Sequence, residues 1–171
     1  MSKKKRNELF EILSKMKHKV IVCSPERIDI SPNLNSLEVE LFAEALADMP
    51  EGSIMLDACD VNEERFAKNV SKLSERECSA EHKADENHPE VSAASIIAKV
   101  TRDKIIDELK DEIGFDIGSG YPSDPKTKLA VAELVKGKLP HDCLRWSWKT
   151  VENAMGRAPP LRKDTRQQTL F

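Results

Sequence analysis

The 171-residue chain is poor in aromatic side chains: five phenylalanines, two tryptophans and a single tyrosine make up 5% of it. No apolar run approaches the roughly 20 residues that cross a bilayer, so a membrane protein is not expected. The basic opening, MSKKKRNELF, has no apolar stretch behind it, so no secretory signal is expected either. The four cysteines (Cys23, Cys59, Cys78, Cys143) are far apart and form no CxxC pair, which argues against a structural zinc site or a disulfide framework. Reduced thiols in the cytoplasm are the expectation. His82 and His88 have no cysteine or histidine partner at ligand spacing, so zinc is not assigned to them. Glycine is scarce too, yet three of the six fall in one stretch, GFDIGSGYPSDP.

What remains is 39% hydrophobic and 33% charged, a globular balance with enough chain for one cored domain. The net charge of −3 hides a pattern. Residues 1–20 carry seven Lys/Arg against two acids, and residues 145–171 carry six against two. The middle holds 14 bases and 26 acids. An acidic centre between basic ends fits a solvated surface with ordinary basic tails, or a polyanion-binding protein whose acids gather a divalent metal.

The spacing of Leu9, Phe10, Leu13 and Met16 predicts an amphipathic helix over residues 3–17. KVIVC (19–23) and SIML (53–56) read as short buried strands, the second ending at Asp57, and 78–80 as another. Ser24-Pro25 and Ser31-Pro32 punctuate a loop, and Asn33 or Asn35 caps a helix lined by Leu37, Leu41, Ala45 and Leu46. Residues 62–73 look helical, and EHKADENHPE is a polar loop. Pro89 opens a long helix to about residue 113, ended by Gly114, with Ala94, Ala98, Ile105, Leu109 and Ile113 expected among its buried positions. Another helix covers 125–137, a short one is expected after Trp148, and residues 157–171 read as a basic flexible tail behind a domain over 1–156. Strands alternating with helices indicate an α/β domain, but two clear strands are fewer than a usual sheet contains, so the sheet is expected to be incomplete.

Asp57 follows a buried strand, where α/β proteins place ligand-binding groups; it either ligates a cation or, with Asp60, simply ends the strand and starts a turn. Asp85 precedes the long helix and is either a second ligand or an acid favoured by the helix dipole. Two such carboxylates suit Mg²⁺ or Mn²⁺, and these ions suit phosphoester hydrolysis. Small residues crowd the first turns of VSAASIIAKVTRD, permitting close approach of a strand or a phosphate. Lys99 and Arg102, three apart, share a helix face. Tyr121 sits in the glycine-rich loop, where an aromatic can stack on a sugar or base or pack on its own domain. Trp146 and Trp148 are read as ordinary packing.

EHKAD (81–85), VSAASIIAKVTRD (91–103), GSGYPSDPKT (118–127) and SWKT (147–150) together resemble the archaeal branch of ribonuclease HII, the type 2 ribonuclease H. Residues 3–13, 25–29 and 35–43 (NSLEVELFA) and the segment LDACDVNEERF extend the likeness, in order, over about residues 2–150. The resemblance implies a ribonuclease H-like α/β core with a C-terminal helical part. It implies cleavage of the RNA strand of RNA/DNA hybrids, and at ribonucleotides embedded in duplex DNA, with Mg²⁺ or Mn²⁺ held by four acids. Two of the four map to Asp57 and Asp85. The tyrosine that senses the 2′-hydroxyl side of the junction maps to Tyr121, and Lys99 and Arg102 lie in the substrate-proximal helix. The family opens on a strand with a GIDEAGRG-type motif that supplies the other two acids. None occurs in these 171 residues, so the reading expects a fold lacking its N-terminal central strands, through truncation or a start codon placed too far downstream. A monomer is expected. The ending QQTLF, with Gln167, Leu170 and Phe171, resembles a shortened sliding-clamp-binding motif. The alternatives are a non-catalytic nucleic-acid-binding remnant and an inert fragment.

Overall fold

The computed structural model describes residues 1–162. Ten elements follow in order: α1 (Lys3–Leu13), α2 (Pro25–Ile30), α3 (Leu34–Ala47), β1 (Met55–Asp57), α4 (Glu63–Ser74), β2 (Ser79–Glu81), α5 (Ala84–Asn87), α6 (Pro89–Ile113), α7 (Pro125–Leu134) and α8 (Lys149–Met155). The chain divides into two compact units, Met1–Val22 with Asn33–Lys104, and Cys23–Pro32 with the chain from Ile105 onward. The boundary therefore falls inside α6.

In the first unit, β1 and β2 pair in parallel with Met55 opposite Ser79, Leu56 opposite Ala80 and Asp57 opposite Glu81. Further bonds from Ser79 N–H to the Ile54 carbonyl and from Ala58 N–H to the Glu81 carbonyl, both 2.9 Å, extend the ladder at each end. Parallel strands need a crossover, and α4 supplies it. Its start is encoded locally: the Asn62 side chain accepts from Arg65 N–H at 2.7 Å, and Glu63 and Glu64 fill the first turn, where the helix dipole favours acids. The inner face of α4 carries Phe66 and Val70, which pack with Leu56 into the core. Phe66, 1% exposed, meets Phe42 of α3 edge to face with ring centroids 5.3 Å apart. Asn33 caps α3 through a 2.8 Å bond from Ser36 N–H. α1 is held to α6 by Arg6 paired with Asp103 at 3.2 Å and by the Lys104 ammonium 4.2 Å over the Phe10 ring.

Asp60 lies in the β1–α4 connection. Its side chain is buried, paired with the Arg65 guanidinium, and accepts from Asn62 N–H at 3.1 Å. The Arg65 bonds first, then the Asn62 N–H, hold its carboxyl below the usual carboxylate range. A depressed folded value means the stabilisation is complete above the unfolded pKa near 4 and is lost as pH falls through the lowered value. Urea midpoints measured from pH 7 to pH 3 are therefore expected to be flat at first and to drop below about pH 4. Asp60→Asn should show lower stability at pH 7 and a shallower drop in acid; an identical acid limb in the variant would reject the assignment.

In the second unit, Val131, Val135 and Val151 form the core of α7 and α8, with Leu144 and Met155 against it. Asp124 caps α7 by accepting from Lys126 N–H at 3.0 Å, with Pro125 in the first turn. A polar node lies beside this core. The Asp29 carboxylate, its side chain 2% exposed, accepts from Trp146 N–H at 2.8 Å, Ser147 N–H at 3.0 Å and Ser147 Oγ at 2.6 Å. Arg162 Nε lies 2.9 Å from Asp29 Oδ2, and the guanidinium stacks 4.3 Å over the Trp146 ring.

Several expectations need correction. Residues 19–23 form no strand, because a strand exists only where its N–H and C=O groups join a ladder. The sheet among the described residues contains β1 and β2 alone. The stretch between Ser24 and Pro32 is a helix, not a loop: Ser24 accepts from Arg27 N–H at 3.2 Å and Pro25 takes the first position, so the punctuation marks a start. The first helix stops at Leu13, leaving Met16 exposed outside it. The loop EHKADENHPE contains α5. The long helix has the expected bounds but a different inner face: Val91, Ile96, Ile97 and Val100 are buried, while Ala94, Ala98 and Ile105 are exposed. Apolar residues lie all around this helix, so periodicity alone does not select the packed side.

Candidate functional site

Asp57 is the last residue of β1, one register step past buried Leu56. Its Oδ1 accepts from Ala84 N–H at 3.2 Å. That bond ties the strand end to the residue next to Asp85. Asp57 Oδ2 has no hydrogen-bond donor among the described residues. The segment between the strands' ends and α6 is held at further points. His82 N–H donates to Glu63 Oε1 at 2.5 Å. Lys83 adopts the left-handed conformation, with φ of 56°, that turns the chain into α5. His88 Nε2 lies 3.1 Å from Glu81 Oε2, closing the far side of the turn. Ala84 is fully buried beneath it.

Asp85 is half-buried on α5. Ser95 Oγ donates to its Oδ2 at 3.4 Å, and Lys99 Nζ stands 3.7 Å from the same oxygen. Ser95 and Lys99 are one helical turn apart on α6, so one face of that helix addresses Asp85. An exposed ammonium–carboxylate pair of this kind contributes little to stability. Its effect is to place a positive charge beside the acid. Arg102 is three residues further along. Cys59 shows the negative character of the β1 end. Although the residue as a whole is exposed, desolvation of its thiol first, then the carboxylates of Glu38 and Asp57, push the thiol up to about 11.

The first unit therefore bonds Asp57 to the residue just before Asp85 and sets Lys99 beside Asp85. Sequence reasoning noted Ser95 only as a small residue. Its spacing of four before Lys99 was the signal that it shares the face towards Asp85. Among the described residues no group of three or more His, Cys, Asp or Glu is gathered to hold a metal ion. Mg²⁺ commonly takes one or two carboxylates and keeps waters and substrate phosphate as its other ligands, so two anchored carboxylates fit it.

Tyr121 lies in the second unit, in the loop between α6 and α7, and is 48% exposed. Gly118 and Gly120 take φ of 70° and 74°, and Asp124 N–H donates to the Tyr121 carbonyl at 3.0 Å. Asp116 and Asp124 are both held below the usual carboxylate range, Asp116 first by Lys126, Asp124 first by the Ser119 N–H. Arg162, in the segment expected to be a mobile tail, donates from Nη2 to the carbonyls of Asp142 and Leu144, both at 2.8 Å. Gln167, Leu170 and Phe171 lie outside the described residues. No helix of the described residues is long and apolar enough to cross a membrane.

A parallel strand pair joined through a helix, with acids at the carboxyl end of the first strand and on the turn after the second, defines an α/β domain of the kind that binds ligands at strand ends. The family model for ribonuclease HII matches residues 1–151. The ribonuclease HII of Methanocella arvoryzae is 45% identical over 158 residues, covering 88% of this chain and 70% of that protein. That of Thermococcus kodakarensis is 42% identical over 180 residues, covering 99% and 78%. Among solved structures, the ribonuclease H2 of Pyrococcus horikoshii OT3 superposes with a TM-score of 0.81 at 38% identity, covering 91% of this chain and 77% of that one. The RNase HII of Archaeoglobus fulgidus, solved in complex with PCNA, gives 0.81 at 36% identity, covering 98% and 80%. The chain belongs to the ribonuclease HII family, whose members are hydrolytic ribonucleases.

Proposed function

We propose that the chain is a cytoplasmic, metal-dependent endonuclease. It cleaves the RNA strand of RNA/DNA hybrids and cuts at ribonucleotides embedded in duplex DNA, leaving 5′-phosphomonoesters, in replication and ribonucleotide removal. The observation that carries this reading is the anchored aspartate pair: Asp57 bonded to the Ala84 amide and Asp85 held between Ser95 and Lys99.

In this reading Asp57 and Asp85 hold Mg²⁺ or Mn²⁺. When bound, such an ion supplies an activated water and stabilises the charge on the leaving 3′ oxygen. The residues do the rest. The Ala84 amide and Ser95 hydroxyl fix the directions of the two carboxylates, so that they need not reorganise when substrate arrives. Lys99 and Arg102 offer positive charge to the phosphodiester backbone. Tyr121 meets the sugar whose 2′-hydroxyl distinguishes RNA from DNA. Gln167, Leu170 and Phe171 dock a sliding clamp, a role supported by the solved complex of the Archaeoglobus fulgidus relative with PCNA.

The test is cleavage of a DNA duplex carrying one ribonucleotide by the 171-residue chain in Mg²⁺ or Mn²⁺. Cleavage that stops on chelation with EDTA is the expected result. Salt-sensitive hybrid binding that ignores the metal, without cleavage, would instead establish a nucleic-acid-binding protein that does not cut.

A further inference from the structure

Three successive peptide N–H groups of the Tyr121 loop are each taken by a side chain. Gly118 N–H donates to Asp116 Oδ1 at 2.9 Å, Ser119 N–H to Asp124 Oδ2 at 2.7 Å, and Gly120 N–H to Thr127 Oγ1 at 2.9 Å. A glycine-rich loop whose amides point outward cradles a phosphate; this one has committed its amides to its own frame. Thr127 is the centre of that frame. It is 9% exposed, on the first turns of α7, and its hydroxyl also donates to the Ile117 carbonyl at 3.0 Å. One hydroxyl thus ties two points of the loop, at residues 117 and 120, to a helix. Gly118 lets the loop close on it: a Cβ there would stand 2.7 Å from Asp124 Oδ2 and 2.8 Å from both Thr127 N and Thr127 Oγ1. The residue after this clamp is Tyr121, whose carbonyl is bound by Asp124 N–H.

We propose that Thr127 is the positioning residue of Tyr121: its buried hydroxyl fixes the backbone from Ile117 to Gly120, and so the direction in which the half-exposed phenol ring is presented to the substrate sugar. The inference rests on the reading of Tyr121 as the sugar-facing residue. Gly118 is there to admit the clamp rather than to bind an anion.

Tyr121 is the only tyrosine in the chain, so 3-fluorotyrosine labelling gives a single fluorine NMR resonance that reports its surroundings. Thr127→Ser keeps the hydroxyl and is expected to keep the wild-type resonance. Thr127→Val keeps the shape without the hydroxyl and is expected to move the resonance towards that of free 3-fluorotyrosine. It should also lower cleavage of the single-ribonucleotide duplex ten- to a hundredfold, the scale of a small misplacement of a substrate-positioning group. An unchanged resonance in Thr127→Val overturns the proposal. Amide exchange in the unaltered chain gives a second measurement that needs no variant. Gly120 is expected to be protected, and exchange at the free-peptide rate would also overturn the proposal. If Tyr121→Ala leaves cleavage untouched, the sugar-facing reading fails, while the fluorine resonance still decides what Thr127 does.

Discussion

Asp85→Asn and Asp57→Asn are each expected to reduce cleavage of a ribonucleotide-containing duplex by about 10³-fold, equivalent to about 4 kcal/mol of transition-state stabilisation. The substitution is chosen because it keeps the local bonds. An asparagine at position 57 still accepts from Ala84 N–H, and one at position 85 still accepts from Ser95 Oγ, so the turn carrying α5 stays in place. What is lost is the negative charge proposed to hold a divalent cation. Hybrid affinity without metal is expected to be unchanged or slightly tighter, since each variant removes an acid from the surface proposed to meet phosphate. Mn²⁺ binding, followed by calorimetry, should weaken at least about tenfold, because a hard cation held by two carboxylates and water loses half of its protein charge. Wild-type cleavage with wild-type Mn²⁺ affinity in either variant would remove that residue from the site. Ser95→Ala is the companion variant, with a smaller loss, because it frees the Asp85 carboxylate to turn without discharging it.

The second large effect is on stability. Asp29→Ala is expected to cost about 3–5 kcal/mol, the range for breaking a buried ion pair by deleting one partner. At this chain length that corresponds to a fall in melting temperature of about 6–20 °C. The deletion leaves two backbone N–H groups, at Trp146 and Ser147, without their acceptor and the enclosed Arg162 guanidinium without its carboxylate. Arg162→Met should cost less, since methionine still covers the Trp146 ring. The double variant should be less destabilised than the sum of the two, the sign of a direct pair. Urea unfolding of the four proteins measures this. Strict additivity would show that the pair contributes nothing of its own.

The candidate site was legible in the sequence to the extent that its parts are local. A short apolar run ending in an aspartate announces a strand that presents a carboxylate, and β1 ends at Asp57 as that pattern implies. Asn33, Pro89 and Pro125 mark helix starts through their own local chemistry, and all three helices begin there. Glycines and prolines around Tyr121 announce a loop. The likeness to ribonuclease HII, carried by motifs of four to thirteen residues in order, was legible for the same reason. The partners of these residues were not. Ser95 meets Asp85 across ten residues, and Thr127 meets Ile117 and Gly120 across a loop. Asp29 meets Trp146 and Ser147 across 117 and 118 residues.

The sequence by itself thus determined the starts of α3, α6 and α7, the strand that delivers Asp57, the order of the motifs and the family, because each depends on the chemistry of neighbouring residues. Only the tertiary structure decided which face of α6 is buried, that residues 19–23 pair with no strand, and that Arg162 is enclosed against Asp29 and Trp146. Those outcomes depend on which distant groups offer a hydrogen bond or an apolar surface. Apolar residues on every side of α6, or an extended run with no ladder beside it, carry no local mark of the partner that will claim them.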